Sequence, residues 1–186
     1  MMLNKTYREE IKGFLSSDEC RELIDMSELV GYEEALIQTR AGQEMNKDVR
    51  DNYRVIIDDV DMASDLWGRM KDICPSEYID PDGIKWESIG LNERFRFYRY
   101  EYGQQFKRHV DGAFKRSDGE ISFVTVLLYL NDDFNGGETQ FFHPHDVIIP
   151  EQGTLFLFRH RQLHQGNQVT TGRKYVLRTD IMYKKK

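Results

Sequence analysis

Arg94-Phe95-Arg96-Phe97-Tyr98-Arg99-Tyr100 alternates charged and aromatic side chains through its first half, the period of a strand with one buried and one polar face. The same texture continues downstream. From residue 92 onward, short runs rich in aromatic and β-branched residues are separated by Gly, Asn, Asp and Pro turns. Strands are expected at 94–100, 105–110, 122–130, 138–142, 146–148, 154–159, 162–165 and 175–183, a series that suits an all-β barrel or jelly roll.

The half before residue 92 reads differently. Ser16 and Glu19 have capping-box spacing, and Cys20, Leu23, Ile24 and Ser27 follow on one face, which predicts an amphipathic helix from 17 to about 30. Met62, Leu66, Met70 and Ile73 predict a second helix over 61–73, stopped by Pro75. Tyr53-Arg54-Val55-Ile56-Ile57 lies between them as a strand. Both helices are expected on the outside of a C-terminal sheet. With no internal repeat and no low-complexity linker, residues 1–186 are expected to form one domain: helical support and outer strands over 1–91, and the β core over 92–186.

Composition narrows the function. A formal net charge of -6 argues against general nucleic-acid binding, because phosphate contacts require a basic surface. Lys184-Lys185-Lys186 is the only basic run and reads as a solvated end. Two isolated cysteines, Cys20 and Cys74, supply neither a disulfide framework nor a Cys-rich zinc site and suit a reducing cytosol. The N-terminus lacks the apolar run of a signal peptide, and no stretch reaches the roughly 20 apolar residues that span a bilayer, so the expectation is a cytoplasmic protein without a membrane partner. The pattern specifies no oligomeric state.

Five histidines are present, and only His109 meets a carboxylate at a useful spacing. In His109-Val110-Asp111 the outer side chains leave the same face of a strand and can converge on one ion. A second histidine from a distant strand would complete a two-histidine, one-carboxylate facial triad with open positions, a donor set that points to iron(II). The block TLFLFRHRQLHQGNQVTTGRKYVLRTDIMY, 154–183, offers His164, with Lys174 ten residues later across a turn at Gly172. A cation there can pair with the remote carboxylate of a dicarboxylate whose other end chelates the metal, which is the shape of 2-oxoglutarate. Tyr129 could donate a phenolic hydrogen bond to the same carboxylate. His143 and His145 flank Pro144 in an expected turn, and His160 competes with His164 as a ligand.

Several ordered pieces now stand together: Tyr100-Glu101-Tyr102-Gly103, His109-Val110-Asp111, Leu128-Tyr129-Leu130-Asn131, Gly136-Gly137-Glu138-Thr139, His164 and Lys174-Tyr175. In this order they resemble the catalytic core of the prolyl 4-hydroxylase group of iron(II)/2-oxoglutarate oxygenases. The likeness covers residues 100–183, with a looser match at Gly13-Phe14-Leu15-Ser16. It implies an α+β fold, a double-stranded β-helix (jelly-roll) core with N-terminal supporting helices.

For the site, the resemblance implies that His109, Asp111 and His164 bind iron and that Lys174, assisted by Tyr129, pairs with the distal carboxylate of 2-oxoglutarate. Tyr100 takes the place of a tyrosine lining the cosubstrate pocket, and Thr139 falls on an inward-facing strand. Arg178 shares a strand face with Lys174 and is the competing anchor for cosubstrate, or a contact for substrate. Fe(II), 2-oxoglutarate and O2, with ascorbate as an optional reductant, would hydroxylate a C–H bond and release succinate and CO2. Because Asp111 is present, the halogenase variant of the chemistry is excluded.

The implied substrate is a peptidyl proline, with a free amino acid or other small molecule as the alternative. The stretches 40–54 and 112–120, with Arg50, Asn52 and Arg54 as polar contacts, are expected to wall its cleft. Three other readings predict different behaviour: a cupin-like metal-binding or sensing protein without turnover, an inactive interaction module, and a zinc hydrolase, in which Lys174 and Tyr129 would have no purpose.

Overall fold

Ser16 and Glu19 close the anticipated capping box: the Ser16 side chain accepts from Glu19 N–H while the Glu19 carboxylate accepts from Ser16 N–H. Helix α1 (Ser17–Val30) starts there, and after it the backbone turns at Gly31. Asp59 caps α2 (Val60–Met70) by accepting from Met62 N–H. The second helix ends at Met70 and not at 73, ahead of the Cys74–Pro75 step, where a residue preceding proline disfavours the helical region.

The computed structural model describes residues 1–35, 37–39, 42–44, 46 and 49–186, with 37–39 and 42–44 described by backbone alone. Strands in the N-terminal half are β1 (Arg8–Ile11), β2 (Glu33–Glu34), β3 (Ile37–Thr39), β4 (Gly42–Glu44), β5 (Tyr53–Asp58), β6 (Glu77–Ile79) and β7 (Lys85–Leu91). The C-terminal half adds β8 (Arg94–Tyr100), β9 (Phe106–His109), β10 (Ile121–Tyr129), β11 (Asn135–Gly136), β12 (Thr139–Phe142), β13 (His145–Ile148), β14 (Leu155–Arg159), β15 (His164–Gly166), β16 (Val169–Thr171) and β17 (Lys174–Lys185). No helix among the described residues is long and apolar enough to cross a membrane.

A nine-stranded antiparallel sheet, ordered β1-β14-β10-β17-β8-β5-β2 with β7 branching from β17 and β6 pairing β7, forms one wall of a jelly roll, and β13-β12-β15-β9 forms the other. The long strand β17 organises the first wall. Along one edge Lys174–Arg178 pairs with β8 and Ile181–Lys185 with β7, while the other edge pairs with β10. The large sheet is therefore not confined to the C-terminal half, because β1, β2, β5, β6 and β7 join it. Such short or mixed-polarity strands as β6 and β7 owe their place to pairing partners more than to their own alternation.

Period-two alternation sorts the side chains of the large sheet into two buried layers. Phe95, Phe97, Leu128, Leu155 and Leu177 share a core with Cys20 of α1 and Leu66 and Met70 of α2. Leu127, Tyr129, Phe156 and Val176 face the other way and meet Phe141 of the small sheet. The polar face anticipated for β8 is thus not a solvent face: Tyr98 and Tyr100 on it are 7% and 6% exposed and line the space between the sheets. Cys20 and Cys74 are both buried and free.

Phe97 is 0% exposed beneath the helices, so Phe97→Ala should lower the unfolding free energy by about 3–5 kcal/mol in urea titrations, with the slope of the transition unchanged.

Candidate metal centre

Antiparallel pairing of β9 with β15 sets His109 directly opposite His164, and their rings stand 4.2 Å apart between centroids. Asp111 follows just beyond the end of β9. One donor atom from each of His109, Asp111 and His164 lies within 4.8 Å of the other two, close enough to share one ion. Both imidazoles present the correct nitrogen. His109 Nδ1 lies 2.8 Å from the Lys107 carbonyl and His164 Nδ1 lies 2.9 Å from the Gln162 carbonyl. A carbonyl only accepts, so each Nδ1 carries the proton and each Nε2 keeps its lone pair.

Charge is arranged to match. Burial pushes His109 down to about 3, with the neighbouring His164 adding to the effect, and burial lowers His164 as well. Burial alone would raise Asp111, but the Arg178 guanidinium holds it below the usual carboxylate range. At neutral pH the trio therefore comprises two neutral imidazoles and one carboxylate, the protonation that a divalent cation needs. Asp111 is also oriented: Thr125 Oγ1 donates to its Oδ2 at 2.7 Å, and Arg178 Nη2 stands 3.4 Å from its Oδ1.

The same cavity receives the other residues singled out in the sequence. Tyr100, Tyr129, Thr139, Lys174 and Arg178 all line it together with the trio. Lys174 is 4% exposed and burial brings it down to about 7. Its Nζ donates to the Gly137 carbonyl at 2.5 Å and sits 5.4 Å from the ring centroids of both Tyr100 and Tyr129. Gly137 allows this approach: at φ +68°, a Cβ there would stand 3.0 Å from Phe134 and 3.1 Å from the Lys174 chain. The Tyr129 hydroxyl and Thr139 Oγ1 share a hydrogen bond of 2.8 Å.

Lys174 and Arg178 differ in what already neutralises them. Arg178 is paired with Asp111 and, at 3.1 Å, with Asp180, whereas Lys174 forms no ion pair among the described residues. The unused histidines are also placed. His160 is buried and bonded to Asp180 at 3.1 Å and is not one of the clustered donors, while His143 and His145 are exposed. Thr125 and Asp180 are not evident as site residues from the sequence, although Thr125 carries a signal as a polar residue between Val124 and Val126 in an apolar strand.

A second cleft opens on the other side of His109 and Asp111. Its wall includes Val49, Arg50 and Arg54 from one stretch and Gly112, Ala113 and Phe114 from the other. Asn52 acts behind this wall, its Oδ1 accepting from Arg50 Nε at 2.6 Å. Arg40 lies outside the described residues.

Comparison with known proteins agrees with this geometry. Residues 95–179 match the sequence model of the 2OG-Fe(II) oxygenase superfamily. A probable prolyl 4-hydroxylase 8 of Arabidopsis thaliana is 25% identical over 134 residues, 69% of this chain, which spans only 42% of that relative's length. The fold resembles that of the viral collagen prolyl hydroxylase of Paramecium Bursaria Chlorella virus-1 in its 2OG complex, at a TM-score of 0.67 and 22% identity over 95% of each chain. It equally resembles a Trichoplax adhaerens prolyl hydroxylase solved with a hypoxia-inducible-factor peptide fragment, at a TM-score of 0.67 and 19% identity over 94% of this chain and 82% of that one. The structural likenesses establish the fold. The family match spans a little under half of the chain, and together these likenesses make the chain similar to 2OG-Fe(II) oxygenases and to proteins named prolyl 4-hydroxylases.

Proposed function

We propose that residues 1–186 act as a single-domain hydroxylase using iron(II), 2-oxoglutarate and O2, and that its preferred substrate is a prolyl residue within a peptide. His109, Asp111 and His164 would hold the iron, and Lys174 the distal carboxylate of 2-oxoglutarate. One observation carries the reading: two neutral imidazoles and a carboxylate converge in the same cavity as a buried lysine that has no anionic partner among the described residues. A structural metal site has no use for that lysine, and neither has a zinc hydrolase.

When bound, iron(II) with 2-oxoglutarate and O2 supplies an oxidation that couples release of succinate and CO2 to hydroxylation of a C–H bond. The protein's part is positioning. Lys107 and Gln162 carbonyls fix the two histidine tautomers, and Thr125 and Arg178 fix Asp111. Lys174 would meet the distal carboxylate with a charge-assisted hydrogen bond, and the Tyr129–Thr139 hydroxyl pair could turn one donor toward it. Tyr100 and Tyr129 flank the ammonium, and burial of the group strengthens the pairing. Arg178, already shared by two carboxylates, serves better as a support for Asp111 than as the cosubstrate anchor. The preference for a prolyl peptide is supported by the names of the relatives and by the peptide bound to the Trichoplax protein.

The test is succinate formation by iron-loaded protein with 2-oxoglutarate, ascorbate and O2, with mass analysis of proline-containing peptides. A gain of one oxygen on proline, abolished by His109→Ala, is expected; absence of both succinate and 2-oxoglutarate binding would contradict the reading. Manganese(II) added to chelator-treated protein should raise its melting temperature, and His109→Ala or His164→Ala should remove that rise.

Lys174 also sets a pH dependence. It titrates near 7 in the free protein, and a bound carboxylate favours its charged form, so binding above that pH takes up a proton. Calorimetric affinity for 2-oxoglutarate should fall as pH rises from 7 to 9, whereas Lys174→Ala should bind more than about 30-fold more weakly and with a flatter profile.

A further inference from the structure

The chain is acidic overall, at a formal net charge of -6, yet the cleft beyond His109 and Asp111 gathers four guanidinium groups, Arg50, Arg54, Arg96 and Arg178, against two carboxylates, Asp111 and Asp180. Strand register creates part of this excess. Arg96 of β8 lies directly opposite Arg178 of β17, an arrangement of like charges that destabilises a sheet unless counter-charge is supplied. The two carboxylates serve that pair: Asp180 sits 3.1 Å from Arg178 and 3.6 Å from Arg96 and also bonds His160, while Asp111 takes Arg178 and Thr125.

Nothing comparable is left for Arg50 and Arg54. Neither forms an ion pair among the described residues; Glu33, opposite Arg54 in register, attracts it without reaching pairing distance. Arg50 is 5% exposed, and its Nη2 is buried without a hydrogen-bond partner among the described residues, a costly state for a guanidinium. The group is nonetheless held in place. Nε donates to Asn52, and the guanidinium carbon lies 4.3 Å from the Tyr98 ring centroid and 4.5 Å from that of Phe106. Phe106 in turn stacks on His109, with centroids 3.5 Å apart, so Arg50 stands one ring away from a candidate metal ligand. Burial, with the charges of Arg50 and Arg96, also depresses Arg54, as a cluster short of anions requires.

We propose that the substrate carries a carboxylate that docks on Arg50 and Arg54, placing the carbon to be oxidised beside His109 and Asp111. This rests on the oxygenase reading and specifies its substrate class. A carboxylate offers planar paired acceptors to a guanidinium fork and would satisfy the orphaned Nη2. It could belong to a free amino acid or to an acidic side chain beside the target residue of a peptide.

The test is calorimetric titration of protein loaded with manganese(II) and 2-oxoglutarate, which blocks turnover, using two matched pairs. One is L-proline against L-prolinamide; the other is acetyl-Ala-Pro-Glu-amide against acetyl-Ala-Pro-Gln-amide. The acid of one pair should bind at least about tenfold more tightly than its neutral partner, which identifies the source, and Arg50→Gln and Arg54→Gln should each bring that ratio toward one. Should the buried Arg50→Gln fail to fold, the half-buried Arg54→Gln carries the comparison. Equal binding within both pairs, or no binding by any probe, overturns the carboxylate dock. Succinate formation by the same wild-type protein, reloaded with iron(II) and supplied with O2, separates the two failures: turnover without acid preference removes only the dock, whereas no turnover removes the oxygenase reading and with it a substrate to dock.

Discussion

The antiparallel pairing of β9 with β15 is the constraint on which the site depends. It puts two imidazoles from positions 109 and 164 side by side, and neither strand is long enough to hold that register alone. β15 is fixed from its other edge by β12, which also carries Thr139 and Phe141 inward. The small sheet is positioned in turn by packing against Leu127, Phe156 and Val176 of the large one. A metal site with two ligands from different strands is therefore as rigid as the contact between the sheets.

Burial then decides how the charges behave. The interior lowers the proton affinity of both histidines and of Lys174, while Arg178 keeps Asp111 ionised. The outcome is a graded arrangement along one sheet face. Among the described residues Lys174 forms no ion pair at one end; Arg178 and Asp180 pair further along, and Arg50 and Arg54 again form none in the cleft beyond the trio. On this account the paired groups support the metal ligands and the other cations await carboxylates: that of 2-oxoglutarate on one side and that of the substrate on the other.

Much of this was legible in the sequence, because the relevant periods are local. Alternation in Arg94–Tyr100 located β8, the Ser16–Glu19 spacing located the start of α1, and His109-Val110-Asp111 required only that a strand put its outer residues on one face. Choosing His164 over His160 depended on its relation to Lys174 and not on local pattern; in the structure His164 faces His109 and His160 is bonded to Asp180. What stayed hidden is set by register between remote segments. No local pattern shows that Arg96 faces Arg178, that Thr125 reaches Asp111, or that β7 extends the sheet along the end of β17.

A crystal structure of iron-loaded protein with 2-oxoglutarate under anaerobic conditions decides whether one cavity holds both the metal and the cosubstrate. The account predicts an iron anomalous peak bounded by Nε2 of His109, Nε2 of His164 and the Asp111 carboxylate, with the distal carboxylate of 2-oxoglutarate on Lys174 Nζ. An iron peak elsewhere, or that carboxylate on Arg178 with Lys174 still bonded to Gly137, would contradict it.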